Sequence, residues 1–423
     1  MKKRSSSTRK KASPQGAAFL WDESFLWGIM AWKALRQAGL SFELVRASDV
    51  RKGCLSRYSL LFVPGGWSSN KLKALGQEGA DAVKAFVRDG GNYLGFCGGA
   101  GLATLDGIGL LNVKRKPTRL RVPSFSGRIS LKTIEAPLWQ GIKEPVFHAW
   151  WPPQFDVSGK DILVLGSYEK AMPDSFTSDL RVGDIEPVAR WEELEKVYGI
   201  NLDPSRLYGE PSVIQGSFGK GSVLLSLVHF DTPGDPDAEQ VLKNLWSSLA
   251  DSAPSSVVTV EESRSEVSAV AGVFDIIDGL EASVSDLIDF GIRNFLWHWR
   301  NPLLLQWRRG IRGLEYNTLQ VMIHFIAESH RNGSAKINRS ELVRIRKKLI
   351  PFLLKTKQLL IRERLTMQQA SLSFRDGADD ETKRLRSELF SMSKSYGGLF
   401  KELIDDIDAV LYKILLLHQP WIC

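Results

Sequence analysis

Three short stretches carry residues whose types and spacing suit nucleophilic chemistry. In Asn92-Tyr93-Leu94-Gly95-Phe96-Cys97-Gly98-Gly99-Ala100-Gly101 an apolar run drives straight into a cysteine flanked by small residues. A nucleophile elbow needs this composition, because the nucleophile sits on a sharp strand-to-helix turn where neighbouring side chains must lack bulk. A thiol at a helix N-terminus has its thiolate favoured by the helix dipole, and the N–H that follows it, that of Gly98, can bind an oxyanion. The plainer reading is a buried structural cysteine in a glycine-rich turn, since free cysteine is commonly buried. The second stretch, Leu61-Phe62-Val63-Pro64-Gly65-Gly66, is a strand ending in a tight turn. Its Gly66 N–H becomes a second oxyanion donor only if the turn lies beside the elbow in a parallel sheet. The third stretch, Ser222-Val223-Leu224-Leu225-Ser226-Leu227-Val228-His229-Phe230-Asp231, is an apolar strand with a histidine and then an acid at its carboxyl end. A cysteine nucleophile needs a base to hold or take its proton, and the base needs an orienting acceptor, roles open to His229 and Asp231. A satisfied strand-end histidine is the alternative. Asp231 also competes with Asp235 and Asp237 for a place at a helix start that favours negative charge. No second His or Cys stands at ligand spacing, so the pattern does not read as a metal site.

The elements that must position these residues follow from hydrophobic periodicity. Residues 17–21 read as a buried strand, 25–37 as a helix closed by Gly39, and 42–46 and 60–63 as short strands. Residues 80–88 form an amphipathic helix stopped by Asp89-Gly90-Gly91, and 93–96 are a further strand. This order implies a parallel sheet with helices on both faces, and in such sheets chemistry sits beyond the carboxyl ends of the strands. From about residue 113 the pattern becomes short β-type runs at 162–165, 187–191, 212–215 and 223–228. The segment Gly216-Ser217-Phe218-Gly219-Lys220-Gly221 reads as a hairpin, lacking the spacing of a phosphate loop. Asp235-Pro236 is an N-cap with proline at the first helical position, opening a helix to about Leu249.

The chain has 423 residues, 43% hydrophobic and 25% charged, which excludes a mainly disordered or collagen-like protein. No stretch reaches ~18 uninterrupted apolar residues, so no transmembrane segment is expected. Cys54, Cys97 and Cys423 cannot make a disulfide framework; a reducing, cytoplasmic setting is the default. Of the net charge of +8, six positive charges lie within residues 1–11 (Lys2, Lys3, Arg4, Arg9, Lys10, Lys11). Residues 1–15 are therefore expected to be a disordered basic tail able to touch anionic surfaces or simply solvated, and not a signal peptide. Residues 16–251 form the α/β domain, 252–265 a linker (its composition already begins at 251), and 266–423 a helical domain. In that half, helical patterns run over 267–299, then to about 329 with Asn317 as N-cap, from Asn338 to about 373, and over 381–417 with a break at Gly397-Gly398. Residues 293–312 interleave Phe295, Trp297, Trp299 and Trp307 with Arg300, Arg308 and Arg309. A bundle helix with an aromatic core explains them, with a membrane surface or nucleic acid as alternatives.

Taken together, Val63-Pro64-Gly65-Gly66, Gly95-Phe96-Cys97-Gly98-Gly99-Ala100, Ile108-Gly109-Leu110-Leu111 and Phe218-Gly219-Lys220-Gly221 leading to His229 form one pattern. From Ala17 to about Leu249 the chain resembles the class I glutamine amidotransferase-like superfamily, and most closely the N-terminal amidotransferase-like domain of eukaryotic biotin–protein ligases. The resemblance implies a flavodoxin-like, mostly parallel α/β sheet with helices on both faces, followed here by a separate all-α helical bundle. It also implies a cysteine that attacks a side-chain amide and a histidine base held by Glu, roles that fall on Cys97 and His229. The sequence departs where the family has His-Pro-Glu and this chain has His229-Phe230-Asp231. Trp150-Trp151-Pro152 replaces a segment that often contains glycine, with His148 nearby as a rival polar group, and the second half shows no biotin-ligase motif. The leading expectation is a Cys–His thiol hydrolase or amidotransferase acting on the C–N bond of a small-molecule amide through a thioester, with no cofactor. Cys97 would attack, His229 would move the proton, Asp231 would orient His229, and the Gly66 and Gly98 amides would hold the oxyanion. The alternative is a non-catalytic ligand-binding or scaffold protein that retains the fold. In either case the helical domain would bind a protein partner or a second copy of the chain.

Overall fold

The structure, a computed structural model, describes residues 16–159, 161–250, 272–333, 337–369, 379–392 and 395–418. The basic tail and the linker lie outside the described residues. Among the described residues, 16–250 build an eleven-stranded mixed sheet. Its parallel part runs in the order Gly221–Ser226, Asn92–Phe96, Leu60–Val63, Ala17–Leu20 and Glu43–Val45. Every residue of Ala17–Leu20 and Leu60–Val63 is buried, which explains why these strands read as unbroken apolar runs. The helices Phe25–Gln37 and Ser68–Arg88 make the crossovers that parallel neighbours require. The second is longer than its amphipathic signal because Gly76, at φ 63°, joins an earlier helical stretch to it across a kink.

Beyond Gly221–Ser226 the sheet continues antiparallel through Pro211–Phe218, Leu163–Ala171 and Phe125–Thr133, with Val146–Trp150 on the outer edge of the last. The hairpin turn at 218–221 is as expected, with Gly219 at φ 63°. Residues 187–191 are not a strand: they lead into the helix Trp191–Tyr198.

The second half is helical in Val273–Arg293, Gly313–Arg331, Arg339–Gln369, Asp380–Phe390 and Gly398–Leu417. The aromatic-rich segment departs from expectation. Trp297–Asn301 and Leu304–Trp307 form a β-hairpin, with Trp297 opposite Trp307. Asn317 is therefore not an N-cap: it lies inside the helix Gly313–Arg331 and binds the hairpin, accepting from Leu305 N–H at 2.6 Å and donating to Leu303 O at 2.9 Å. Among the described residues no helix is long and apolar enough to cross a membrane.

The two halves share one continuous hydrophobic core. Asp408, on the last helix, is buried against the first strand: it accepts from Trp21 Nε1 at 2.7 Å and from Arg46 at 2.7 Å. Asp408→Ala leaves a buried indole N–H and a half-buried guanidinium short of an acceptor, and should lower the unfolding free energy by roughly 2–3 kcal/mol. Denaturant titration should show one transition, shifted as a whole. A separate, unshifted transition for the α/β half would contradict this packing.

Candidate active site

The register of the parallel strands brings three strand tips to one rim. Val63 pairs with Gly95, and Ser226 with Phe96, so Gly65-Gly66, Cys97 and the 227–231 segment emerge together. Cys97 has φ 47° and ψ −100°, a conformation that L-residues other than glycine rarely adopt, and it stands where the strand turns into the helix Gly98–Ala103. Its N–H is held by Ser226 O at 2.8 Å. A Cβ on Gly98 would sit 1.8 Å from Gly66 O, and one on Gly99 1.9 Å from Val63 O, so the elbow rests directly on the Pro64–Gly66 loop. Among the described residues, neither the Gly66 nor the Gly98 N–H is spent on another backbone acceptor.

His229 packs against this loop, with its Cε1 3.1 Å from where a Cβ of Gly65 would lie. Its N–H donates to His148 O at 2.7 Å, and its Nδ1 meets Asp231 Oδ1 at 2.8 Å, both side chains being 1% exposed. Asp231 thus serves the imidazole, and the helix start is capped instead by Asp235, which accepts from Ala238 N–H at 3.0 Å. Aspartate, one methylene shorter than the glutamate that the resemblance implies, still reaches the ring. Burial alone would pull the His229 pKa down, but Asp231 and the nearby Cys97 sulfur outweigh it and raise it to about 10. The sulfur acts on the ring both as a close hydrogen-bonding neighbour and through its charge; Nε2 makes no hydrogen bond of good geometry, and the thiol lies 3.8 Å from Trp150 O. His148, the rival polar group, is engaged elsewhere, 3.3 Å from Asp235 and stacked on Trp150.

Several neighbours lie outside the expectation from sequence. Trp27 lies over His229 with centroids 5.2 Å apart, and Trp151 packs on Trp27 at 6.1 Å. The hairpin of the helical half reaches this wall: Trp307 stacks on Trp151 at 4.9 Å, and Arg300 lies over Trp150 while donating to Ser126 Oγ and O at 2.9 Å. Lys71 is fully buried behind the Gly66 loop, donating to Ser24 Oγ at 2.5 Å and Asp22 O at 3.0 Å. Burial lowers its pKa to about 7 against the pull of Glu23 and Asp22. Its only sequence signal is a place one turn before Leu75 on the buried helix face. Two open clefts lie apart from Cys97, one lined by Trp299, Leu303, His324 and Phe325, the other by Leu72, Gly76, Lys84 and Ile108.

The folded state holds the His229 proton to about pH 10, whereas an unperturbed histidine releases it near 6.5. That proton's contribution to stability is complete below pH 6.5 and is lost as pH rises toward 10. The stability difference between wild type and Asp231→Asn should therefore narrow across this window, and NMR of the wild type at about pH 8 should report an imidazolium at His229. A neutral ring at that pH would contradict the assigned electrostatics.

Residues 50–106 match the family profile "Biotin-protein ligase, N terminal", a span covering the Gly66 loop and the elbow. No curated protein matches the chain in sequence. Among solved structures, PurLQS from Thermotoga maritima is 16% identical, covering 55% of this chain and 98% of that one with a TM-score of 0.40. A glutamine amidotransferase is 20% identical, covering 56% of this chain and 99% of that one with a TM-score of 0.35. A β-galactosidase from Bacillus circulans sp. alkalophilus is 13% identical, covering 56% and 31% with a TM-score of 0.34. The family match lies on the loop and elbow that the parallel strands bring together, so residues 50–106 are similar to the N-terminal region of biotin–protein ligases.

Proposed function

We propose that the chain hydrolyses or transfers the nitrogen of small amides through Cys97. The observation that carries this reading is a buried His229–Asp231 pair, 2.8 Å apart, beside a cysteine held at positive φ on an elbow. Removing two ionisable groups from water is costly, and a pair aimed at a thiol on a strained turn is the arrangement that covalent catalysis requires. In the reaction, the Cys97 sulfur attacks the amide carbon and the carbonyl electrons move onto oxygen, which the Gly66 and Gly98 N–H groups receive. The His229 imidazolium gives its proton to the departing nitrogen, the C–N bond breaks, and an amine or ammonia leaves a thioester. Water then attacks the thioester as His229 takes its proton, and collapse of the intermediate releases the acid and restores the Cys97 thiolate beside the His229 imidazolium. Asp231 keeps the ring oriented and favours its charged form throughout.

A second reading, a non-catalytic ligand-binding module, is favoured by the aromatic wall. Trp151 and Trp307 stack beside the site, and neither open cleft includes a residue of it. Ammonia release from a panel of small primary amides separates the two readings. The catalytic reading predicts turnover that Cys97→Ala abolishes and His229→Ala lowers by about 10²–10⁴-fold. Release that is the same in wild type and Cys97→Ala would leave the module reading in place.

A further inference from the structure

The mechanism makes the Gly66 N–H an oxyanion donor, and the structure shows what backs it. Gly66 has φ 118° and rests on the 22–25 turn. A Cβ on it would lie 2.4 Å from Glu23 O and 3.2 Å from Lys71 Cε, so this glycine packs directly on the turn and on the lysine stem. The turn is itself strained, with Glu23 at φ 56° and Phe25 at φ 46°. A carbonyl held in that conformation keeps its aim only if its neighbours are fixed.

Lys71 fixes them. It lies near the start of the helix Ser68–Arg88 and is completely buried. Its Nζ donates to Asp22 O at 3.0 Å and to Ser24 Oγ at 2.5 Å, the residues on either side of Glu23. Four charged or titratable groups face it: Asp22 and Glu23 from the turn, Asp408 from the helix Gly398–Leu417, and Cys97 from the elbow. The three carboxylates are engaged by other groups. Asp22 meets Ala47 N–H at 2.7 Å and Arg46 at 3.7 Å, and Glu23 meets Asn70 Nδ2 at 3.1 Å and Lys401 at 3.2 Å. Asp408 takes Trp21 and Arg46, each at 2.7 Å. Among the described residues Lys71 therefore makes no ion pair and meets two neutral oxygens instead. An ammonium sealed from water on such terms is costly, and an apolar side chain would fill the place without that cost. What the lysine adds is its grip on the turn.

We propose that Lys71 is a positioning residue for the oxyanion hole: its ammonium fixes Asp22 O and Ser24 Oγ, and the Glu23 carbonyl between them sets the Gly66 N–H toward the developing oxyanion. The proposal rests on the reading of Cys97 as the nucleophile, so its test has one arm that uses the thiol and one that does not. Burial lowers the Lys71 pKa to about 7, so the ammonium gives way to a weaker-donating amine as pH rises through neutrality.

The first arm compares two reactions of Cys97 in the full-length chain. With p-nitrophenyl acetate the sulfur attacks the acetyl carbon, a tetrahedral oxyanion forms, and p-nitrophenolate leaves a thioester. With iodoacetamide the sulfur displaces iodide from carbon and no oxyanion forms. Absorbance of p-nitrophenolate, less that released by Cys97→Ala, follows the first, and peptide mass spectrometry the second. The thiolate fraction enters both rates equally, so the acylation-to-alkylation ratio isolates the oxyanion hole. That ratio should fall at least about tenfold in Lys71→Met. In wild type it should fall several-fold as pH rises through about 7, whereas a side chain that only fills space gives a ratio independent of pH. In the second arm, NMR of glycine-labelled Cys97→Ala follows the Gly66 amide, whose shift should titrate near pH 7 and stop doing so when Lys71→Met is added. A wild-type ratio flat with pH, an equal ratio in folded Lys71→Met, or a Gly66 titration indifferent to Lys71→Met would overturn the proposal. If Lys71→Met does not fold, the wild-type pH profile decides. If Cys97 reacts with neither reagent, the nucleophile reading fails, and the NMR arm still decides whether Lys71 holds the loop.

Discussion

No side-chain carbon fits between the elbow and the loop on which it rests. The hypothetical Cβ positions at Gly98 and Gly99 fall within 2 Å of the Gly66 and Val63 carbonyl oxygens, so the two backbones touch directly. That contact sets the spacing of two strand tips, and the third is fixed by the bond from Cys97 N–H to Ser226 O. Cys97 at positive φ costs on the order of 1–3 kcal/mol, which the surrounding structure must offset. It does so with the Ser226 bond, a bond from Gly101 N–H to Cys97 O at 2.9 Å, and the buried Tyr93 hydroxyl donating to Gly99 O at 2.7 Å. Strain held in this way by buried hydrogen bonds is preorganisation: the thiol has few positions to choose from before any substrate arrives.

The helical half extends this constraint. Asp408 holds Trp21 and Arg46, and Trp21 immediately precedes the 22–25 turn in which Glu23 and Phe25 take positive φ. Glu23 O would lie 2.4 Å from a Cβ on Gly66, and Lys71 binds Asp22 O and Ser24 Oγ from behind. On the other side, rings run from Trp307 through Trp151 and Trp27 to His229. The second half is thus in physical contact with both walls of the site, and its hairpin helps define what can approach Cys97.

What is legible in the sequence is local. The elbow, the Pro-Gly-Gly turn, the strand leading to His229 and the Asp235 cap each depend on a few neighbouring residues, and their rim placement follows from parallel pairing. The strands Phe125–Thr133 and Val146–Trp150 escape a search for apolar runs, although Ile129, Leu131 and the exposed Arg128 and Lys132 alternate as a half-buried strand should. The hairpin at 297–307 reads as helix because Phe295, Trp299, Leu303 and Trp307 recur every four residues; Pro302, at its turn, is the discriminating residue. Lys71 carries no usable functional signal: its burial against Asp22 O and Ser24 Oγ, behind the Gly66 loop, is created only by the assembled sheet.

The most direct test of the central claim uses the two described cysteines of one chain as competitor and control. Burial, then Asp49, pushes the Cys54 thiol up to about 11, so it should stay protonated and slow at neutral pH. Timed alkylation of the folded chain with a neutral reagent at about pH 7, read peptide by peptide, should modify Cys97 at least about 10²-fold faster than Cys54, and His229→Ala should remove most of that lead. Equal rates, or a lead that survives the loss of His229, would contradict the account.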